Sequence, residues 1–152
     1  MSITLNRICE DLYLDLNRYS NGLWVTLDNT KFTKYKFDYL VAELIKRLNR
    51  YCYGKNYVKL ATNRLRSVGG IETGVINNGI HVHLIIMYDI IRRDFNDLEL
   101  FIRKEWYKII EAKGSIFGTM VDVQPVNDLR TRIEYMCKTF YESRKEFNPT
   151  YF

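Results

Sequence analysis

The chemistry in this sequence gathers around its histidines. The chain has two, His81 and His83, and two residues placed at random in a chain this long would fall two apart in only ~1% of cases. On a strand, side chains two apart point to the same face, so both imidazoles would project side by side, with Val82 and Leu84 on the opposite face. Two neutral imidazole nitrogens held that way suit a shared divalent metal. A metal that stays open to substrate usually has a further protein ligand, and Glu72 on the preceding segment is the carboxylate at hand. With a two-residue hairpin loop at Asn78-Gly79, Gly74 pairs with His83 and Glu72 with Ile85. Moving the loop to Asn77-Asn78 puts Glu72 opposite His83 instead. Both registers keep Glu72 on the histidine face, which only an odd loop length would reverse, and Gly74 leaves room for an ion. A carboxylate with two imidazoles suits Mg²⁺ or Mn²⁺ when a phosphate oxygen and water complete the shell.

A second pair completes the set. Tyr135 and Lys138 are one turn apart on an expected helix and therefore neighbours on its surface. The apolar stripe of that helix, Leu129, Ile133, Met136 and Phe140, lies roughly 140–160° away from them, so Tyr135 is not needed for the core. A phenol ionises near pH ~10 and becomes a useful nucleophile only when the electrophile is activated and a cation or base stabilises the phenolate. Lys138 would supply that charge.

The elements that must position these groups follow from periodicity. Helices are expected over residues 3–18, 37–53, 94–113 and 128–142, and strands at Leu23–Leu27, Tyr57–Leu60, Gly69–Ile76, Ile80–Tyr88 and Phe117–Val123. The run Ile80–Tyr88 is apolar on both faces, which argues for a central buried strand. The expected fold class is α+β: an antiparallel β-sheet of about five strands with helices on its faces, in a single domain over residues 1–152 with residues 1–20 as an N-terminal helical extension.

Composition bounds the partner. The 152 residues are 47% apolar, enough for one ordinary core, and only 8 Gly and 2 Pro leave little chain for loops. Charge is 23 basic minus 18 acidic, or +5, with 14% aromatic residues, a balance suited to a polyanion. Three cysteines, Cys9, Cys52 and Cys137, have no CxxC spacing and are expected to be reduced and packed in a cytoplasm-like environment. No apolar run approaches the ~20 residues of a membrane helix, so no membrane association is expected.

His81-Val82-His83 on a strand, Glu72 upstream, Leu23-Trp24-Val25-Thr26-Leu27 as a first strand and Tyr135-Met136-Cys137-Lys138 on a later helix resemble, in order, the motifs of HUH endonucleases. These are the single-tyrosine initiators of rolling-circle replication in plasmids, small single-stranded DNA viruses and phages. With Gly79 before the first histidine and the long helix bearing Trp106, the chain looks most like the inovirus and prophage type. The resemblance covers residues 22–142. It departs from the family after the first strand, where Asp28-Asn29 stand in place of a further Thr, and Thr139 occupies the position of the second tyrosine in two-tyrosine members.

The resemblance implies a HUH/Rep-like fold in which Glu72, His81 and His83 hold Mg²⁺ or Mn²⁺. It implies attack by Tyr135 on single-stranded DNA or a DNA hairpin at an origin, giving a 5′-phosphotyrosine and a free 3′-hydroxyl, with Lys138 offsetting charge. Host helicase and polymerase would be partners, since the chain has no room for a fused helicase, and the setting would be the cytoplasm of a bacterium carrying a phage, plasmid or prophage. Arg64, Arg66, Arg92, Arg93 and Arg132 would grip the DNA backbone.

Plainer readings stand beside this one. His81 and His83 would be satisfied histidines of a packed strand, Glu72 an ordinary surface carboxylate, and Arg92-Arg93 a solvated loop. Tyr141, followed by Arg144 and Lys145, is a rival nucleophile. The whole chain would alternatively be a catalytically silent DNA- or RNA-binding regulator of a mobile element. A phosphoesterase using both histidines as acid and base would pair each with a following Ser or Thr, whereas Val82, Leu84 and Ile85 fill those positions.

Overall fold

A computed structural model describes residues 3–29, 34–59, 64–73, 79–89, 91–114, 119–144 and 150–152. Among them are four α-helices and five strands: α1 Ile3–Leu16, β1 Asn21–Asn29, α2 Lys34–Tyr53, β2 Arg66–Thr73, β3 Ile80–Tyr88, α3 Phe95–Glu111, β4 Met120–Pro125, α4 Leu129–Arg144 and β5 Thr150–Tyr151. The strands form one antiparallel sheet in the order β4-β1-β3-β2-β5. This is the α+β class read from the sequence.

The position of β3 at the centre follows from its composition. Val82, Leu84 and Ile86 enter one core with Leu23, Val25 and Leu27 of β1, under α2 and α3, while Ile85 and Met87 enter a second core with Trp24 and Val68, under α1 and α4. A strand apolar on both faces has nowhere else to go than between two helical layers. Helix α1 belongs to this packing: Leu5, Cys9, Leu12 and Leu16 are buried against Ile133, Met136 and Cys137 of α4.

Helix ends carry chemical signatures. Asp94 caps α3, its carboxylate accepting from the Asp97 N–H at 2.8 Å while the Asp97 carboxylate accepts from the Asp94 N–H. Gly114, with φ 82°, and Gly54, with φ 80°, follow α3 and α2 in the left-handed region that favours glycine. At the start of α4, the Asp128 carboxylate accepts from the Thr131 N–H and hydroxyl.

Two expectations need correction. Of the strand expected at Tyr57–Leu60, Tyr57–Lys59 instead form a 3-10 turn in which the Tyr57 and Lys59 N–H groups bond backward to the Gly54 and Asn56 carbonyls, and Leu60 lies outside the described residues. Those bonds run within the turn rather than to a neighbouring strand, and Val58 is exposed, so it brings no apolar side chain to the sheet. The slot beside β2 is taken by the short β5, which periodicity in the sequence does not reveal. Strand limits also move: β1 runs two residues further at each end, β2 starts at Arg66 and β4 ends at Pro125. The expected turn at Asn77-Asn78 lies outside the described residues, as do the side chains of Phe140, Tyr141 and Arg144, and Lys145. No helix among the described residues is long and apolar enough to cross a membrane.

The larger core rests on Phe37 and Trp106, both fully buried and edge to face with ring centroids 5.4 Å apart. Phe37→Ala should lower unfolding free energy by about 3–5 kcal/mol in urea titrations. Tyr39→Ala, at an exposed position of the same helix, should stay within about 0.5 kcal/mol of the wild type.

Candidate metal and nucleophile site

Strand alternation and register build this site. On β3, His81 and His83 share the face that carries Ile85 and Met87, towards α1 and α4, and Val82 and Leu84 face the other way. On β2, Glu72 stands directly opposite His81 and Gly70 opposite His83. This corrects the expected pairing. Glu72 pairs with neither Ile85 nor His83, because Thr73 lies opposite Ile80, a register four residues away from the first expected pairing and two from the second. Both shifts are even, so Glu72 remains on the histidine face. The glycine that leaves space opposite His83 is therefore Gly70 rather than Gly74.

One ligand atom from each of Glu72, His81 and His83 lies within 4.8 Å of the others, all three residues being half-buried. His81 Nε2 is 2.9 Å from Glu72 Oε2. Two ligands on adjacent corners of an octahedron with ~2.1 Å bonds are about 3 Å apart, so that pair fits a cation taking the place of the shared proton. The donor set of one carboxylate oxygen and two imidazole nitrogens matches Mn²⁺ or Mg²⁺ completed by oxygen ligands. These residues fit a divalent ion.

His83 is held in the state a ligand needs. Burial, then the neighbouring His81 and the Arg132 guanidinium, lower its pKa from 6.5 to about 4, so the ring is neutral at physiological pH. Its Nδ1 is 3.1 Å from the Thr26 hydroxyl, and its ring stacks on Trp24 with centroids 5.2 Å apart and planes 17° from parallel.

Helix α4 brings the phenol to the same place. The Tyr135 ring stands edge-on to His83 at 5.9 Å and to Trp24 at 6.0 Å, and it is 53% exposed, open to a substrate from solvent. Lys138, one turn further along, is also exposed. Of the five expected arginines, Arg132 joins the group: its guanidinium lies 5.1 Å from the Trp24 ring centroid and donates to Gln124 Oε1 at 2.8 Å.

The other four arginines are elsewhere. Arg66 pairs with Asp15 and covers the Tyr151 ring, six residues and so roughly 20 Å along β2 from Glu72. Arg64 donates to the Val58 carbonyl. Arg92 and Arg93 follow the far end of β3, where Arg93 lies over the Tyr51 ring. Sequence reasoning missed the contribution of Thr26, and of Asp28 and Asp122, which stand opposite His81 and Thr26 on this face. The signal was period-two alternation in β1, which puts Trp24, Thr26 and Asp28 on one side. No family model, curated protein or solved structure matches the chain.

Because the folded pKa of His83 is depressed, its contribution to stability is full above pH ~6.5 and is lost as pH falls towards 4, where the unfolded chain binds a proton that the native state refuses. Unfolding free energy measured from pH 7 to 4 should fall, with about 1–3 kcal/mol of the loss due to this group. In His83→Asn that part of the slope should vanish.

Proposed function

We propose that this chain is a metal-dependent endonuclease and strand transferase acting on single-stranded DNA, with the HUH/Rep-like fold and the nicking role that initiates rolling-circle replication. The observation that carries the reading is the exposed phenol of Tyr135, edge-on at 5.9 Å to one of two histidines that share a strand face with Glu72. A nucleophile, a cation site and an open approach within one side-chain layer are the parts of a phosphoryl transfer.

A divalent ion, Mn²⁺ or Mg²⁺, held by Glu72, His81 and His83 would act as a Lewis acid on the scissile phosphate. The Tyr135 oxygen attacks phosphorus, forming the phosphotyrosine ester and losing its proton to water or a nearby base. The bond to the 3′ oxygen breaks, and that oxygen takes up a proton to leave as a 3′-hydroxyl. Another 3′-hydroxyl attacking the ester reverses the step and rejoins the strand. Lys138 offsets negative charge on the phenolate or phosphate, and Arg132 adds a further cation beside Trp24.

A free 3′-hydroxyl suits extension by a host polymerase with a host helicase, in the cytoplasm of a bacterium carrying a phage, plasmid or prophage. The net charge of +5 is modest enough for a protein that binds DNA and then releases it.

Incubation of the full chain with Mn²⁺ and a library of single-stranded and hairpin oligonucleotides should give a covalent protein–DNA adduct on a denaturing gel. Tyr135→Phe should lower adduct formation at least ~10³-fold, and Tyr141→Phe should retain it. DNA binding without an adduct under any metal would instead favour the catalytically silent binder, and an adduct surviving in Tyr135→Phe would sink the choice of nucleophile.

A further inference from the structure

The first strand carries residues that the proposed reaction does not use. Trp24 and Thr26 are two apart on β1, so they share a face, and register sets Thr26 directly opposite His83. Directly opposed residues have Cβ atoms ~5 Å apart, close enough for a hydroxyl to reach an imidazole. The observed separation of Thr26 Oγ1 and His83 Nδ1 is 3.1 Å.

Two motions would spoil His83 as a ligand. Its ring can turn over, exchanging the positions of its nitrogens, and it can tilt about the side-chain axis. Stacking on Trp24 at 5.2 Å and 17° opposes the tilt. Trp24 is itself 3% exposed and sits in the α1/α4 core, with Arg132 over its ring. A hydrogen bond at Nδ1 opposes the turn, and β-branched Thr26 has few rotamers through which to lose it.

The direction of that bond matters as much as its presence. A hydroxyl either donates or accepts. Were it to donate to Nδ1, the ring proton would sit on Nε2 and neither nitrogen would offer a lone pair to an ion. If it accepts, Nε2 is bare.

We propose that Thr26 is a positioning residue for His83, its hydroxyl accepting the Nδ1 proton so that the ring, clamped against Trp24, presents Nε2 to a divalent cation. The inference rests on reading Glu72, His81 and His83 as a metal site, and under it the first strand serves to orient a ligand carried by β3. Outer hydrogen-bond partners of metal-bound histidines fix tautomer and orientation, and their loss typically costs 10–100-fold in metal affinity.

Two measurements on the full chain test this. In the metal-free wild type, imidazole ¹⁵N shifts should report the Nδ1–H tautomer for His83; the Nε2–H tautomer would overturn the proposal. By calorimetry with Mn²⁺ at fixed pH, Thr26→Val, which keeps the shape and removes the hydroxyl, should bind about 10–100-fold more weakly, while Thr26→Ser stays within about threefold of the wild type. Wild-type affinity in Thr26→Val, or equal weakening in both variants, would overturn it. A wild type in the Nδ1–H tautomer that takes up no Mn²⁺ would mark failure of the metal reading itself, and the proposal falls with it.

Discussion

Strand β3 must satisfy two helical layers at once, and the arrangement of the rest depends on how it does so. Val82, Leu84 and Ile86 serve the core under α2 and α3; Ile85 and Met87 serve the core under α1 and α4. A slip of one residue against β1 or β2 would exchange these faces, drive two imidazoles into the larger core and expose its aliphatic groups. Each misplaced aliphatic side chain would cost about 1.5–3 kcal/mol, so the register is held by packing along the whole strand. The histidines occupy the end of β3 where the α1/α4 layer stops being apolar, and this is why they are half-buried rather than sealed.

That register also decides the electrostatics. Glu72 is brought to His81 at 2.9 Å, while His83 receives a neutral hydroxyl and an aromatic face. The two imidazoles are thus differently supported: one faces a carboxylate, and the other is kept neutral by burial. Gly70 opposite His83 adds no side chain to the space between them. Helix α4 closes the group from above, with its buried residues Ile133, Met136 and Cys137 against the sheet layer and α1, and Tyr135 left outward beside the histidines. Arg132, a turn earlier, extends the same surface to Gln124 on the edge strand β4.

Much of this was legible in the sequence because it depends on local periodicity. The spacing of Phe37, Val41, Leu44 and Leu48 predicts a buried helix face, and all four are buried. Even parity between Glu72 and the histidines survives any even shift of register, so their shared face was readable although the pairing itself was not. The apolar stripe of α4 likewise predicted that Tyr135 would point outward, and it is exposed. Tyr57–Leu60 misled because β-rich composition says nothing about whether a slot in the sheet is free.

The sequence by itself determined the fold class, the face on which His81, His83 and Glu72 lie and the side of α4 that carries Tyr135, since each follows from repeats of 2 or about 3.6 residues. Only the tertiary structure decided which residues meet across the chain. The pairing of Glu72 with His81, the choice of Gly70 over Gly74, the clasp of Thr26 and Trp24 on His83 and the selection of Arg132 from five arginines all depend on strand order and register. Those are set by the joint filling of two cores by residues far apart in sequence, a condition that no single segment contains.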